Sequence, residues 1–183
     1  VELVYADFLH ALLPPFNKVV CAPPYHISTN LMYRLFELGF EDAYLVMQKE
    51  FVERLTAEPG FFDYNALSVI TQYYCKTDVV LKVSPGAFFP RPSGESALIH
   101  LKFKKRFGQA LHDELFIEFV NQLFRYKNKS IANSLQLAWP FLKPKPKIEL
   151  AAAKEKISRK KIAIEKTYAI FSKDFVELFN ELY

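Results

Sequence analysis

The chain has 183 residues, of which 51% are hydrophobic and 16% aromatic, and these proportions exclude a disordered chain and allow one solid core with a smaller second one. No apolar run approaches the length of a membrane span, and Glu2 and Asp7 stand where a signal peptide would carry basic residues, so we expect a soluble, cytoplasmic protein. Cys21 and Cys75 lie far apart in apolar surroundings without a CxxC motif or Cys/His cluster, which predicts two free thiols and no metal site.

The first hundred residues alternate β-rich runs with helical patterns, which is typical of α/β units around a largely parallel sheet. A helix is predicted from an N-cap at Ser28 to a glycine end at Gly39, because apolar residues recur at helical spacing between them. Two further helices are predicted over 49–57 and 64–74. The predicted strands are 2–5, 18–21, 43–47, 79–83 and 96–103, and the last two enclose a loop rich in Pro and Gly.

Beyond about residue 106 only helical patterns remain, which predicts a partial α/β domain over 1–106 and a helical domain over 107–183. Helices are expected over 114–126, which is strongly amphipathic, and over 128–137 and 174–182. The charge divides at nearly the same place: residues 1–101 hold 7 Lys and Arg against 11 acidic residues, and residues 102–183 hold 17 against 9. The basic part suits a polyanion such as nucleic acid, although a solvated basic surface explains the composition equally well.

The most informative segment is CAPPYHISTN, residues 21–30, which follows a predicted strand and precedes a predicted helix. Ligands of open α/β sheets bind at such strand ends. The two prolines restrict the backbone and hold Tyr25 as an aromatic plate that can stack a flipped base. Without further information, however, a Pro-Pro-Tyr turn is more often a structural corner than a catalytic loop.

This segment resembles the NPPY-type loop of adenine N6-methyltransferases, and three blocks together resemble the KsgA-type rRNA adenine N6,N6-dimethyltransferases in an archaeal-like form. The blocks are CAPPYHISTNLMYRLFE, the segment from VMQKEFVERL to ESALIHL with AFFPRP inside it, and FIEFVNQLFRYKNKSIANSL. They follow one another in the family's order with near-matching spacing. The resemblance implies the C-terminal part of a Rossmann-like class I methyltransferase sheet, followed by a small all-α domain that binds RNA.

The resemblance also implies roles for individual residues. Asp7 and Phe8 would bind the cofactor S-adenosylmethionine, with the Asp7 carboxylate accepting a hydrogen bond from its adenine amino group. Tyr25 would stack on the target adenine, and Phe88 would close the base from its other face. Pro23 would offer its backbone carbonyl to the amino group of the target. A structural aspartate and core-packed aromatic rings are the alternative explanations for these residue types.

The sequence departs from the family at two points. Ala22 stands where the family has Asn or Asp in contact with both target and cofactor, and a methyl group cannot accept a hydrogen bond. The loss of one such contact typically lowers the rate by about 10²–10³-fold, and the nearest amide, Asn30, is predicted to lie on the following helix. The glycine-rich turn for the methionine end of the cofactor is also missing, since Gly39 is the first glycine. We therefore expect an N-terminal truncation relative to the family.

Arg125, Lys127 and Lys129 are the predicted phosphate contacts, because they occupy the place of the family's basic block between two helices; a solvated helix end is the alternative. The resemblance implies a monomer that transfers methyl groups from S-adenosylmethionine to adenines of small-subunit rRNA, on a pre-ribosomal particle and without a metal. The main alternative is a catalytically impaired or non-catalytic RNA-binding assembly protein of the same lineage, for which the two departures argue. A DNA adenine methyltransferase is disfavoured by the C-terminal blocks.

Overall fold

The computed structural model describes residues 3–104 and 110–183. Its elements are β1 (Lys18–Cys21), α1 (Ser28–Leu38), β2 (Asp42–Gln48), α2 (Lys49–Thr56), α3 (Ala66–Tyr74), β3 (Cys75–Val83), β4 (Ser96–Phe103), α4 (Asp113–Phe124), α5 (Ile131–Ala138), α6 (Leu150–Ser158) and α7 (Ser172–Leu182). They form two compact units: a sheet unit of Val1–Val52 with Cys75–Lys104, and a helical unit of Glu53–Tyr74 with Lys105–Tyr183. The predicted domain boundary between residues 106 and 107 lies outside the described residues.

The four strands of the sheet unit lie in the order β1-β2-β4-β3. β1 pairs with β2 in parallel, whereas β2 with β4 and β3 with β4 pair antiparallel. The expectation of a largely parallel sheet is therefore wrong for the described strands. The reason is the loop over 84–95, which reverses the chain so that β3 and β4 form a hairpin, while the α/β pattern applies only to β1, α1 and β2.

One face of this sheet forms part of a core. Ala43, Leu45 and Met47 of β2 are completely buried, and Leu45 lies opposite the equally buried Ile99 of β4. The opposite face is more polar and more accessible, with Tyr44 stacked on His100 at 4.5 Å between ring centroids. The alternation follows from the period of two along each strand.

Several predicted element ends differ from the structure. The predicted strand over 2–5 is wrong for residues 3–5, which are exposed and form no strand. A strand needs a neighbouring backbone to pair with, and no described residue supplies one. Glu2 lies outside the described residues. Ser28 is the first residue of α1 and not its N-cap, since its hydroxyl donates to the Tyr25 carbonyl at 2.8 Å. Gly39 ends α1 as predicted, with φ of +75°, and its N–H donates to the Leu35 carbonyl.

The helical unit is built around packed aromatic rings. Phe116 and Phe119 of α4 both contact the ring of Phe179 on α7, at 5.6 Å between centroids. The hydroxyl of the buried Tyr64 donates to the Ile170 carbonyl at 2.9 Å, which connects the segment before α3 to the segment before α7. The amphipathic pattern predicted over 114–126 is confirmed, because its apolar stripe supplies this core. α6 has no counterpart among the predicted helices.

Candidate functional site

The turn after β1 is held by local geometry. Pro24 has φ of −57° and ψ of 131°, and it leads into a single 3-10 turn over Tyr25–Ile27. The N–H of Ile27 donates to the Pro24 carbonyl at 3.1 Å. The Ser28 hydroxyl donates to the Tyr25 carbonyl. The backbone around Tyr25 is therefore restrained from both sides before the side chain makes any contact.

The Tyr25 side chain is anchored at its tip. Its hydroxyl lies 2.6 Å from the Oγ of Ser96, and Ser96 is 1% exposed at the start of β4. The ring itself is half-buried and lines a surface cleft. A side chain fixed at the backbone and at the phenol oxygen has lost most of its rotational freedom, so its ring presents one face in a constant orientation.

The loop between β3 and β4 supplies the second aromatic side chain. Phe88 follows the 3-10 turn Pro85–Ala87 and is half-buried, whereas the next residue, Phe89, is fully exposed. The loop is attached to the start of α2 at its far end: Lys49 N–H donates to the Glu95 carbonyl at 3.0 Å, and the Lys49 ammonium pairs with the Glu95 carboxylate at 2.9 Å. This hydrogen bond from Lys49 lowers the pKa of Glu95.

These two loops enclose an open apolar cleft of about 640 Å³, which we call the Tyr25 cleft. Its lining residues are Ala22, Pro23, Pro24, Tyr25, Val46, Phe88, Phe89, Pro90 and Pro92. The structure thus brings together the predicted positions Ala22, Pro23, Tyr25 and Phe88, which are separated by up to two strands and three helices in sequence. Asp7 and Phe8 are not among the lining residues. Ser96, which anchors Tyr25, was not predicted, because no local sequence pattern connects it to the Pro-Pro-Tyr turn.

The chemistry of the Tyr25 cleft is limited by its side chains. All nine lining residues are aliphatic, proline or aromatic, so the phenol of Tyr25 is their one polar side-chain group, and it is bonded to Ser96. The remaining hydrogen-bond acceptors are backbone carbonyls. Asn30 lies exposed in the first turn of α1 and does not line the cleft. Burial raises the pKa of the neighbouring Cys21 thiol, which keeps it protonated and unsuited to nucleophilic attack.

Asp7 lies in a tight turn before β1. Its carboxylate accepts the N–H of Leu9 at 3.0 Å and contacts Nδ1 of His10 at 3.1 Å, and these hydrogen bonds, the first one foremost, lower the pKa of Asp7. The turn is tied to α1 because the Arg34 guanidinium donates to the Ala11 carbonyl at 2.9 Å. Asp7 is therefore an exposed, ionised acceptor on a restrained loop. Arg34 was not predicted to have this role.

The predicted phosphate contacts follow α4 in the helical unit. The Arg125 guanidinium lies 5.5 Å from the ring centre of Phe141 and donates to the side-chain amide of Gln122. The Lys127 ammonium lies 5.3 Å from the ring centre of Phe62, and Lys129 is exposed. The contacts identified for Arg125 and Lys127 are with neutral groups, so these contacts leave their positive charge uncompensated.

Residues 3–104 and 110–183 contain no cluster suited to a metal ion. Within these ranges, no group of three or more His, Cys, Asp or Glu side chains is arranged to hold one. The helices of the same ranges are all too short or too polar to cross a lipid bilayer.

Comparison with known proteins identifies relatives over most of the chain. A family model described as ribosomal RNA adenine dimethylase matches residues 1–174. The chain is 39% identical over 137 residues to a protein of Methanothermobacter thermautotrophicus named probable ribosomal RNA small subunit methyltransferase A. That match covers 74% of this chain and 48% of the relative, so the chain spans about half the length of such curated relatives.

Two solved structures have a similar fold. A dimethyladenosine transferase from Plasmodium falciparum superposes with a TM-score of 0.84 at 22% identity, over 98% of this chain and 71% of that chain. The 23S rRNA methyltransferase ErmE superposes with a TM-score of 0.65 at 25% identity, over 99% and 71%. These similarities confirm the predicted fold class, in which part of a Rossmann-like methyltransferase sheet is followed by helices.

Proposed function

Because the chain belongs to the ribosomal RNA adenine dimethylase family, we propose that it acts in the N6-dimethylation of adenines in small-subunit rRNA, with S-adenosylmethionine as methyl donor. The observation that carries the proposal is the Tyr25 cleft, in which an anchored tyrosine and Phe88 line one apolar surface. The cleft is lined by aromatic and other apolar side chains, which can pack against the flat faces of a purine. The cleft is the place where the target adenine binds.

The base is held by stacking between Tyr25 and Phe88. Each base–aromatic stack contributes about 1–3 kcal/mol, which offsets part of the few kcal/mol needed to extrude a base from an RNA helix. Tyr25 needs no reorganisation to receive the base because Ser96 already fixes its ring. Stacking from the two faces leaves the edge of the adenine, with its N6 amino group, open to attack.

The amino group is oriented by hydrogen-bond acceptors at the start of the turn. The backbone carbonyl of Pro23 is the acceptor we assign, because Pro23 lines the cleft next to Tyr25. Ala22 lines it too and contributes a methyl group, which accepts nothing. The amino group therefore loses one of two expected partners, and we expect slow methyl transfer in consequence.

The residues present fit the adenine end of S-adenosylmethionine. The exposed, ionised Asp7 carboxylate is a good acceptor for an adenine amino group, and the half-buried Phe8 lies beside it in the same turn. The methionine end has no glycine-rich turn among residues 1–38, since Gly39 is the first glycine. When bound, the cofactor supplies the methyl group from its sulfonium to N6 of the target. This chain's residues orient the acceptor and exclude water from its faces.

The helical unit supplies the contacts that we assign to the RNA backbone. Arg125, Lys127 and Lys129 are the phosphate contacts we assign, since they form a basic cluster whose identified contacts leave the charge uncompensated. The partner is small-subunit rRNA or a pre-ribosomal small subunit in the cytoplasm, and we expect the protein to act on it as a monomer without a metal. The name of the Methanothermobacter thermautotrophicus relative supports this substrate class.

One observation favours a second function. Because Ala22 provides no amide and the described lining of the Tyr25 cleft contains no substitute for one, the alternative function is that of a non-catalytic RNA-binding assembly factor. Such a protein would keep the aromatic side chains that stack on the base, and it would keep the basic cluster. It would bind RNA as the enzyme does but would transfer no methyl group.

One experiment separates the two functions. The chain is mixed with small-subunit particles lacking dimethyladenosine and with S-adenosylmethionine carrying a labelled methyl group, and the rRNA is digested and analysed by mass spectrometry. Calorimetry with S-adenosylmethionine and a filter-binding titration with the rRNA run in parallel, with Asp7→Ala as the matched variant for cofactor binding. Tyr25→Ala is the matched variant for the target base.

The outcomes differ clearly. Formation of N6-dimethyladenosine that Tyr25→Ala abolishes supports the enzyme. Binding of RNA without cofactor affinity and without methyl transfer supports the assembly factor. Absence of RNA binding at moderate salt would overturn both.

A further inference from the structure

A second cleft lies entirely within the helical unit, and we call it the Phe62 cleft. Its volume is about 290 Å³, and its lining residues are Gly60, Phe61, Phe62, Lys127, Asn128 and Tyr168. None of these residues takes part in the Tyr25 cleft. Lys127 alone was singled out above, as a phosphate contact.

The aromatic side chains of this cleft are unusually exposed. Phe61 is 65% exposed and Phe62 is 89% exposed, whereas Phe116, Phe119 and Phe179 of the same unit are completely buried. Two adjacent exposed phenylalanines are costly in water, and such apolar surface rimmed by polar groups marks an interaction site. The ammonium of Lys127 stands 5.3 Å from the ring centre of Phe62, so a cation and an aromatic face already lie side by side.

The walls of the cleft are fixed by backbone hydrogen bonds. Gly60 N–H donates to the Tyr168 carbonyl at 2.9 Å, and Tyr168 N–H donates to the Lys127 carbonyl at 3.3 Å. Thr167 N–H donates to the Lys129 carbonyl at 3.0 Å. Gly60 adopts φ of +93°, which a side chain would disfavour, and this turn brings the two phenylalanines to the rim. These hydrogen bonds hold three separate segments of the chain together.

Lysines and acidic residues both flank the cleft, and two of the lysines lie against its aromatic rings. Lys127 lines it, Lys129 lies two residues further along, and the Lys166 ammonium lies 5.7 Å from the ring centre of Tyr168. The acidic residues next to these segments are Glu58, Asp63 and Glu165. Exposed rings interleaved with lysines combine the two features that bind single-stranded nucleic acid, namely a stacking surface and a cationic track for the backbone.

We propose that the Phe62 cleft binds an unpaired nucleotide of RNA at a site separate from the one that receives the target adenine. The base stacks on Phe62, and Lys127 and Lys166 contact its flanking phosphates. Asn128 offers an amide, with both a donor and an acceptor, to the base edge. The site rests on the proposed function only in taking RNA as the ligand, and it requires neither cofactor nor methyl transfer.

The test measures binding of short single-stranded oligouridine, labelled with fluorescein, to the full chain by fluorescence anisotropy at fixed salt without cofactor. Phe62→Ala should weaken binding by about 5- to 150-fold, the range that corresponds to the loss of one base–aromatic stack. Phe62→Tyr, which keeps the ring, should bind within about threefold of the natural chain on the same principle. The matched control is Phe171→Ala. Phe171 is also exposed, and the Lys173 ammonium lies 5.9 Å from the centre of its ring, but Phe171 does not line the cleft.

The outcomes separate this site from the proposed function. Weakened binding in Phe62→Ala with unchanged binding in Phe171→Ala supports the site, whether or not the chain methylates rRNA. Equal affinities of the natural chain and Phe62→Ala would overturn the site, as would preference for an RNA duplex or absence of oligouridine binding, the result expected if the cleft binds a protein. Thermal melting of Phe62→Ala verifies folding, which the exposure of the side chain predicts to be intact.

Discussion

The hydroxyl of Tyr25 and the hydroxyl of Ser96 form a 2.6 Å hydrogen bond across 71 residues of sequence. The bond joins the turn after β1 to the first residue of β4, and either oxygen can be the donor. It attaches the ring that lines the Tyr25 cleft to a buried point in the sheet unit. The orientation of the proposed stacking surface thus depends on a residue outside the cleft.

Removing either hydroxyl tests this bond. Tyr25→Phe and Ser96→Ala should each lower the free energy of unfolding by about 0.5–1.5 kcal/mol, the net contribution of one partly buried hydrogen bond. The double variant should lose little more than one single variant, because both changes remove the same interaction. Urea unfolding of the four proteins gives the coupling directly. Strictly additive losses would show that the two hydroxyls do not interact.

Restoring an amide at position 22 should raise methyl transfer. Ala22 is exposed and lines the Tyr25 cleft, so Ala22→Asn has room for an acceptor beside the Pro23 carbonyl. We expect a rate increase of about 10²–10³-fold, the usual effect of one such preorganised hydrogen bond. The measurement is incorporation of labelled methyl groups into rRNA. Ala22→Leu, of similar size but without an amide, is the control; equal rates for both variants would exclude a role for the amide.

The sequence predicted those elements whose signal is local. β1, α1 and β4 follow from apolar periodicity and from Gly39, and the structure reproduces them to within a residue or less. α6 escaped prediction because it buries only Ala153 and Ile157 and follows a Pro-rich connection. Its short apolar face gives almost no periodic signal.

Among the residues of the candidate sites, too, only those with a local sequence signal could be predicted. The Pro-Pro-Tyr turn was found because its residues are consecutive and resemble a family motif. Ser96 was not, because its contact with Tyr25 exists only after the strands have paired. Phe61 and Phe62 were missed because aromatic residues are expected in the core, whereas these two follow the turn at Gly60 and are exposed.

Neutralising the basic cluster should change the salt dependence of RNA binding. Arg125→Ala and Lys127→Ala should each weaken binding, and each should reduce the slope of log K against log salt by about 0.7–0.9 for every phosphate that is no longer neutralised. Anisotropy titrations at several salt concentrations measure the slope. Lys154→Ala removes an exposed lysine on α6, bonded to Gln136, and should leave the slope unchanged. Identical slopes in all four proteins would remove Arg125 and Lys127 from the interface.

The buried thiol of Cys75 should make folding sensitive to alkaline pH. Burial raises the pKa of this thiol from 9.0 to about 12, against a smaller opposing effect of Lys104. The folded protein therefore keeps the proton up to about pH 12, whereas the unfolded chain releases it above about pH 9. Since only the unfolded state ionises between these values, the contribution to stability is complete below about pH 9 and is lost as pH rises from there to about 12.

The slope should increase above about pH 9 towards a limit of about 1.4 kcal/mol of unfolding free energy per pH unit for one such group. Burial also raises the pKa of Tyr183 from 10.0 to about 12, so the cleanest window lies just above pH 9, before tyrosines ionise in the unfolded chain. Urea unfolding of the natural chain and of Cys75→Ala across this window isolates the thiol, because the variant lacks the ionising group. The natural chain should lose stability faster than the variant as pH rises. Parallel curves would mean that the Cys75 thiol ionises equally well in the folded protein and that β3 does not bury it as the structure indicates.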